Sequence, residues 1–146
     1  MLKKRDLLEI EPKIKPLVDL LNQIPYLETI ASCQGHFLGL VELEKDRYLE
    51  RDEYAHVIFE MPENKEKEFE QIALKILSAT SPFWNDYEVE LYKRYYSIPH
   101  SGELSYNWKI DIVPFEPGDY PAQQKREVTD QAISLLEIVL NESLKQ

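Results

Sequence analysis

The stretch Tyr87-Glu88-Val89-Glu90-Leu91-Tyr92-Lys93-Arg94-Tyr95-Tyr96, followed at a spacing of two by Leu104, Tyr106, Trp108, Ile110 and Ile112, reads as two long strands. Side chains alternate across a strand, so Tyr87, Val89, Leu91 and Tyr95 take one face and Glu88, Glu90, Tyr92, Arg94 and Tyr96 the other. Pro99 and Gly102 lie between the two arms and mark the reversal of a β-hairpin.

Working outward, Tyr54 to Met61 is a further strand, with Ala55, Val57, Phe59 and Met61 opposite Tyr54, His56, Ile58 and Glu60. Pro62 ends it. Asn64 then caps a helix whose Phe69, Ile72, Ala73, Ile76 and Leu77 form an apolar stripe, with Glu66 and Glu68 at its positive end. Beyond the hairpin, Pro114, Pro117 and Gly118 break the chain. Asp119 is placed to cap a final long helix carrying Val128, Ala132, Leu135, Leu136 and Val139. Near the N-terminus, Ile14, Leu17, Val18, Leu21 and Ile24 share a helical face that Pro25 stops, the regular part starting near Pro16. Leu27 to Ser32 is a short strand that ends in the turn-like Cys33-Gln34-Gly35-His36. Residues 42–53, rich in both signs of charge, read as a solvated connection with its carboxylates at the surface.

The order α-β-β-α-β-β-α predicts an α+β, two-layer fold in which helices cover one face of a mostly antiparallel or mixed sheet. At 146 residues the chain is one domain, spanning 1–146. Dinucleotide and P-loop folds are excluded by the lack of their glycine-rich motifs, and the commonest hydrolase motifs are also missing. Seventeen Lys and Arg against 27 Asp and Glu give a formal charge of -10, which repels polyanions and excludes generic nucleic-acid binding. No apolar run approaches the ~20 residues a transmembrane helix needs. The basic start Lys3, Lys4 and Arg5 meets Asp6 and Glu9 before any apolar segment forms, so no secretion signal is expected. A single cysteine, Cys33, forms no intrachain disulfide and fits a reducing, cytoplasmic setting.

Ser32-Cys33-Gln34-Gly35-His36 gathers a hydroxyl, a thiol, an amide and an imidazole at a strand end, with Gly35 free to take positive φ. A turn of this kind can aim side chains and backbone N–H groups at one ligand, and an imidazole beside a thiol favours the thiolate. Cys33 and His36 are therefore the candidate catalytic residues, with Ser32, Gln34 and Gly35 as ligand-binding residues, and the turn is expected to border a concave pocket. The plainer reading of the same residues is a tight turn with a buried thiol and a surface histidine.

Thr29-Ile30-Ala31-Ser32-Cys33-Gln34-Gly35-His36 resembles the Thr-Ser-Ser-Cys-Ser-Gly-Arg signature of the tRNA wybutosine-synthesis methyltransferases, and also a Ser-Cys-x-Gly-His signature in small uncharacterised proteins. Ser32, Cys33 and Gly35 are the identical positions. The resemblance implies adenosylmethionine as cofactor and a modified tRNA base as substrate, with the turn lining their site. His36 stands where that family has arginine, so an imidazole replaces a guanidinium fork at the expected anion contact. In that scheme His36 accepts the proton released on methylation. The competing reading, from a different class, is a noncatalytic module in which the turn is a recognition loop for a small-molecule ligand, or the acidic surface meets a basic partner.

Cys33-x-x-His36 has the spacing of two metal ligands, but it is half a site, and His56 and His100 fall on other elements. The sequence therefore gives no reason to expect a bound metal. The cations and aromatics of Tyr92 to Tyr96, with Trp108 and Lys109, could stack bases on a sheet; the stronger reading places Tyr95 and Trp108 in the core and the charges in solvent.

Overall fold

The structure, a computed structural model, describes residues 9–40, 51–115 and 120–145. Its elements are α1 (Lys15–Asn22), β1 (Glu28–Cys33), β2 (Ala55–Glu60), α2 (Glu66–Thr80), β3 (Tyr87–Ser97), β4 (Leu104–Pro114) and α3 (Ala122–Leu144), with 3-10 turns at Glu63–Lys65 and Ser81–Phe83. The class is α+β. All strand pairs are antiparallel, in the spatial order β1-β2-β4-β3, so β4 inserts between β2 and its own hairpin partner. The mixed-sheet option does not apply to the described strands.

Alternation decides which face is buried. Ala55, Val57 and Phe59 of β2, Val89 of β3, and Ile110 and Ile112 of β4 join one apolar cluster with Leu17, Val18 and Leu21 of α1, Phe69 and Ile76 of α2, and Val128, Ala132, Leu136 and Leu140 of α3. Phe59 stacks on Phe69 with ring centroids 5.3 Å apart, and Phe69 in turn on Trp108 at 6.1 Å. The opposite sheet face carries His56, Ile58, Tyr92, Arg94, Lys109 and Asp111, which are only partly buried. No helix among the described residues is long and apolar enough to cross a membrane.

Several local expectations are corrected. Asn64 does not cap α2: it lies inside the 3-10 turn that follows Pro62, and α2 begins with no side-chain cap. Its backbone has already entered a helical conformation, whereas a capping residue must stay outside one. Asp119 and residues 42–50 lie outside the described residues. Tyr95 is 68% exposed, because the hairpin outruns the helices that would cover it. The aromatic and cationic run splits between faces: Lys93 turns to the helices, pairing with Glu66 at 2.9 Å and lying 4.0 Å over the Tyr106 ring, while Arg94 donates to Asn107 on the other side.

Strand β1 contains an irregularity between Thr29 and Ala31. Before it Thr29 pairs with Phe59, and after it Ser32 pairs with Val57 and Cys33 with His56. An extra residue at this point shifts the side-chain phase by one, which moves Cys33 into register with the open face instead of the core face.

Candidate functional site

The turn after β1 is tied to two other parts of the chain. Gly35 has φ of 92°, which glycine adopts without strain. A Cβ there would meet the Phe37 ring at 3.2 Å and the backbone nitrogen of Ala55 at 3.3 Å. From α3, Arg126 donates through Nη1 to the Gly35 carbonyl at 2.8 Å and through Nη2 to the Gln34 carbonyl at 2.6 Å. Arg126 is itself held by Asp130 one turn along the helix, 2.7 Å away. From the segment before α1, the backbone N–H of Lys13 donates to Gln34 Oε1 at 2.9 Å, and Glu11 Oε1 accepts from the Gln34 N–H at 3.1 Å. His36 and Glu53 exchange backbone hydrogen bonds of 2.8 Å in each direction.

These ties account for the backbone donors of the turn. The N–H groups of Gln34, Gly35 and His36 are directed to Glu11, Cys33 Sγ and Glu53, so they hold the turn to the protein. Cys33 is 6% exposed, Gln34 is buried, and His36 is 1% exposed. Ser32 is partly buried on β1, paired with Val57. The histidine is therefore neither at the surface nor in an open pocket. Its Nε2 lies 2.7 Å from Glu11 Oε2, so the protein's own negative charge stands where an anionic ligand was expected.

The concave surface lies beside the turn. A cleft of about 740 Å³ is lined by Arg51, Asp52, Glu53, Tyr54, His56, Lys109, Asp111 and Lys125, with Leu38 at its rim. Its Glu53 is the backbone partner of His36, and its His56 is the register partner of Cys33. Asp52 accepts from Lys125 at 2.7 Å and from the Leu38 N–H at 2.9 Å, so it is built into the wall and not a freely solvated carboxylate. Lys109 pairs with Asp111 at 3.2 Å. Charges held at so little exposure cost desolvation, and their gathering in one concavity makes the cleft the candidate site.

Sequence reasoning passed over His56 except as a rejected metal ligand. Its Nδ1 lies 2.9 Å from the Tyr54 carbonyl, which can only accept, so Nδ1 carries the proton and Nε2 the lone pair. Burial pushes the imidazole below the ordinary histidine value, against the opposing pull of the Tyr54 carbonyl, and Lys109 adds to the lowering. His56 is thus a neutral acceptor in a cleft. The strand alternation that put it opposite Val57 was the only signal for this.

Tyr92 donates its hydroxyl to Asp111 Oδ2 at 2.6 Å. Burial, then this hydrogen bond and the Asp111 charge, push its pKa up to about 12. Because the folded-state value lies above the unfolded value of about 10, the stabilisation is fully present below that pH and is lost as pH rises through about 12. Tyr26 and Tyr87 are also raised, so the expected result is a comparison. The urea midpoint of the wild type falls more steeply between these pH values than that of Tyr92→Phe. Parallel curves would remove the Tyr92–Asp111 bond from the folded state.

No family model matches the chain, and neither a curated protein nor a solved structure does.

Proposed function

We propose that this protein binds a small polar molecule carrying both donor and acceptor groups, in the cleft on the open face of the sheet beside the Ser32–His36 turn. One observation carries the reading: two little-exposed lysine–aspartate pairs, Lys125–Asp52 and Lys109–Asp111, flank a neutral histidine in a single concavity. A ligand carboxylate or phosphate would meet the lysines and Arg51, and its N–H or O–H groups would meet Asp52, Asp111 and the His56 lone pair. Such a site favours amphoteric molecules of amino-acid or nucleoside size and is far too small for a folded RNA surface.

A second reading is favoured by the acceptor on His56. Methyl transfer to a ring nitrogen of a modified guanine base, the reaction implied by the resemblance, requires a base to take the released proton. In this cleft that role falls to His56, whereas His36 is buried and does not line it.

Both readings are tested by titrating the full chain with free amino acids, nucleosides, nucleoside monophosphates and adenosylmethionine, followed by amide NMR shifts. Binding is expected to move resonances at 51–56, 109–111 and 125. Lys125→Ala is expected to weaken it about tenfold, the equivalent of ~1.4 kcal/mol. Adenosylmethionine binding lost in His56→Ala would favour methyl transfer. A panel in which every binding compound maps elsewhere, such as the apolar cleft around Trp84 and Phe115, would overturn the assignment.

A further inference from the structure

Glu11, Cys33 and His36 place a carboxylate oxygen, a sulfur and an imidazole nitrogen all within 4.8 Å of one another. The sequence offered only Cys33 and His36; the third donor arrives because the segment before α1 crosses the turn. From this convergence we infer that the three residues form a transition-metal site, with zinc as the best-fitting ion. It is independent of the cleft reading above.

Three further observations favour a cation at this convergence. First, among the described residues the buried His36 ring has no hydrogen-bond partner at Nδ1, and although Nε2 lies 2.7 Å from Glu11 Oε2, the contact lacks hydrogen-bond geometry. A cation held between the imidazole nitrogen and the carboxylate oxygen satisfies both at once. A buried imidazole left with neither nitrogen satisfied is otherwise costly. Second, the Gly35 N–H points to Cys33 Sγ at 3.4 Å, a contact that strengthens as the sulfur becomes a thiolate. Third, Glu11 is oriented before any ligand arrives, because its other oxygen accepts from the Gln34 N–H. Fixing a ligand through an outer hydrogen bond is how proteins preset a metal shell.

The donor set selects the ion. Thiolate with imidazole suits zinc, and a carboxylate completes three protein ligands, leaving a fourth position as in sites that hold a water or a substrate. Tetrahedral zinc separates its ligand atoms by roughly 3.5 Å, given bonds of about 2.0–2.3 Å, so the present spacing needs only small side-chain adjustments. Glu53 Oε2, 3.9 Å from Cys33 Sγ, stands beside the set and also lines the cleft. Arg126, buried against the Gln34 and Gly35 carbonyls, is engaged by Asp130, and Glu11 and Glu53 bring two carboxyl groups to the centre.

The test is cobalt(II) titration of the full chain after chelator dialysis, read by absorption. A thiolate-to-cobalt charge-transfer band saturating at about one ion per chain, and displaced by zinc, is the expected result. Cys33→Ala should abolish the band, and Glu11→Gln should weaken cobalt binding by at least the roughly 10–100-fold typical of losing even an outer-shell partner. Glu11 is 30% exposed at its side chain, so this variant is the one to read if Cys33→Ala fails to fold. A folded wild type that develops no charge-transfer band would overturn the inference, as would zinc retained undiminished in Glu11→Gln.

Discussion

Replacing Arg126 with Met is expected to destabilise the protein by about 3–5 kcal/mol, because it breaks a buried charged network by removing one partner. Arg126 is 4% exposed and is the donor to the carbonyls of both Gln34 and Gly35. Methionine fills much of the volume but donates nothing, so two buried carbonyl oxygens lose their donors and Asp130 loses its partner. The Phe37 ring, 5.4 Å from the guanidinium, loses a cation–π contact as well. Lysine at the same position keeps the charge but has no planar fork to serve two carbonyls, so Arg126→Lys should recover only part of the loss. Urea unfolding measures the difference. Alkylation of Cys33 should also become faster in Arg126→Met, since the turn burying the thiol loses its clamp. An unchanged midpoint would mean that the turn does not depend on α3.

Phe59→Ala is expected to cost about 3–5 kcal/mol, in the range for deleting a large buried aromatic. Phe59 is fully buried on β2, which is paired on both sides by β1 and β4. Its ring stacks on Phe69 of α2, tying the sheet to that helix together with Trp108. Truncation removes apolar contact and leaves a cavity that two paired neighbouring strands cannot collapse to fill. A domain of this size is stable by only about 5–15 kcal/mol, so the loss is a large share of the total. The urea midpoint should fall with little change of slope, and Phe59→Leu should fall less. A loss below about 1 kcal/mol would place the ring outside the principal core.

The two variants probe different levels of legibility. Phe59 was readable as a core residue because strand alternation and helix periodicity are local properties, set by side-chain direction within one element. The same logic located Val57, Ile110, Ile112, Phe69, Ile76, Ala132 and Leu136 in the core. It could not see Arg126, a charged residue in a helix, as buried, because its partners are backbone carbonyls 91 and 92 residues away.

The candidate site divides in the same way. The sequence alone located a strand-end turn at Ser32 to His36 with Gly35 free to take positive φ, and put His56 on the strand face opposite Val57. It also determined the α+β class, since each amphipathic element announces the face it must bury. Only the tertiary structure decided what the turn meets: Glu11 against His36, Glu53 against Cys33, and Asp52, Lys109 and Lys125 around His56. The irregularity at Ile30 decided it too, by resetting the phase of β1 so that Cys33 pairs with His56. An uninterrupted count of two from Thr29 would have sent Cys33 to the core face. Periodicity carries information over a few residues of one element. The convergence of donors from the pre-α1 segment, the β1 turn and the approach to β2 depends on packing between elements, which no local pattern encodes.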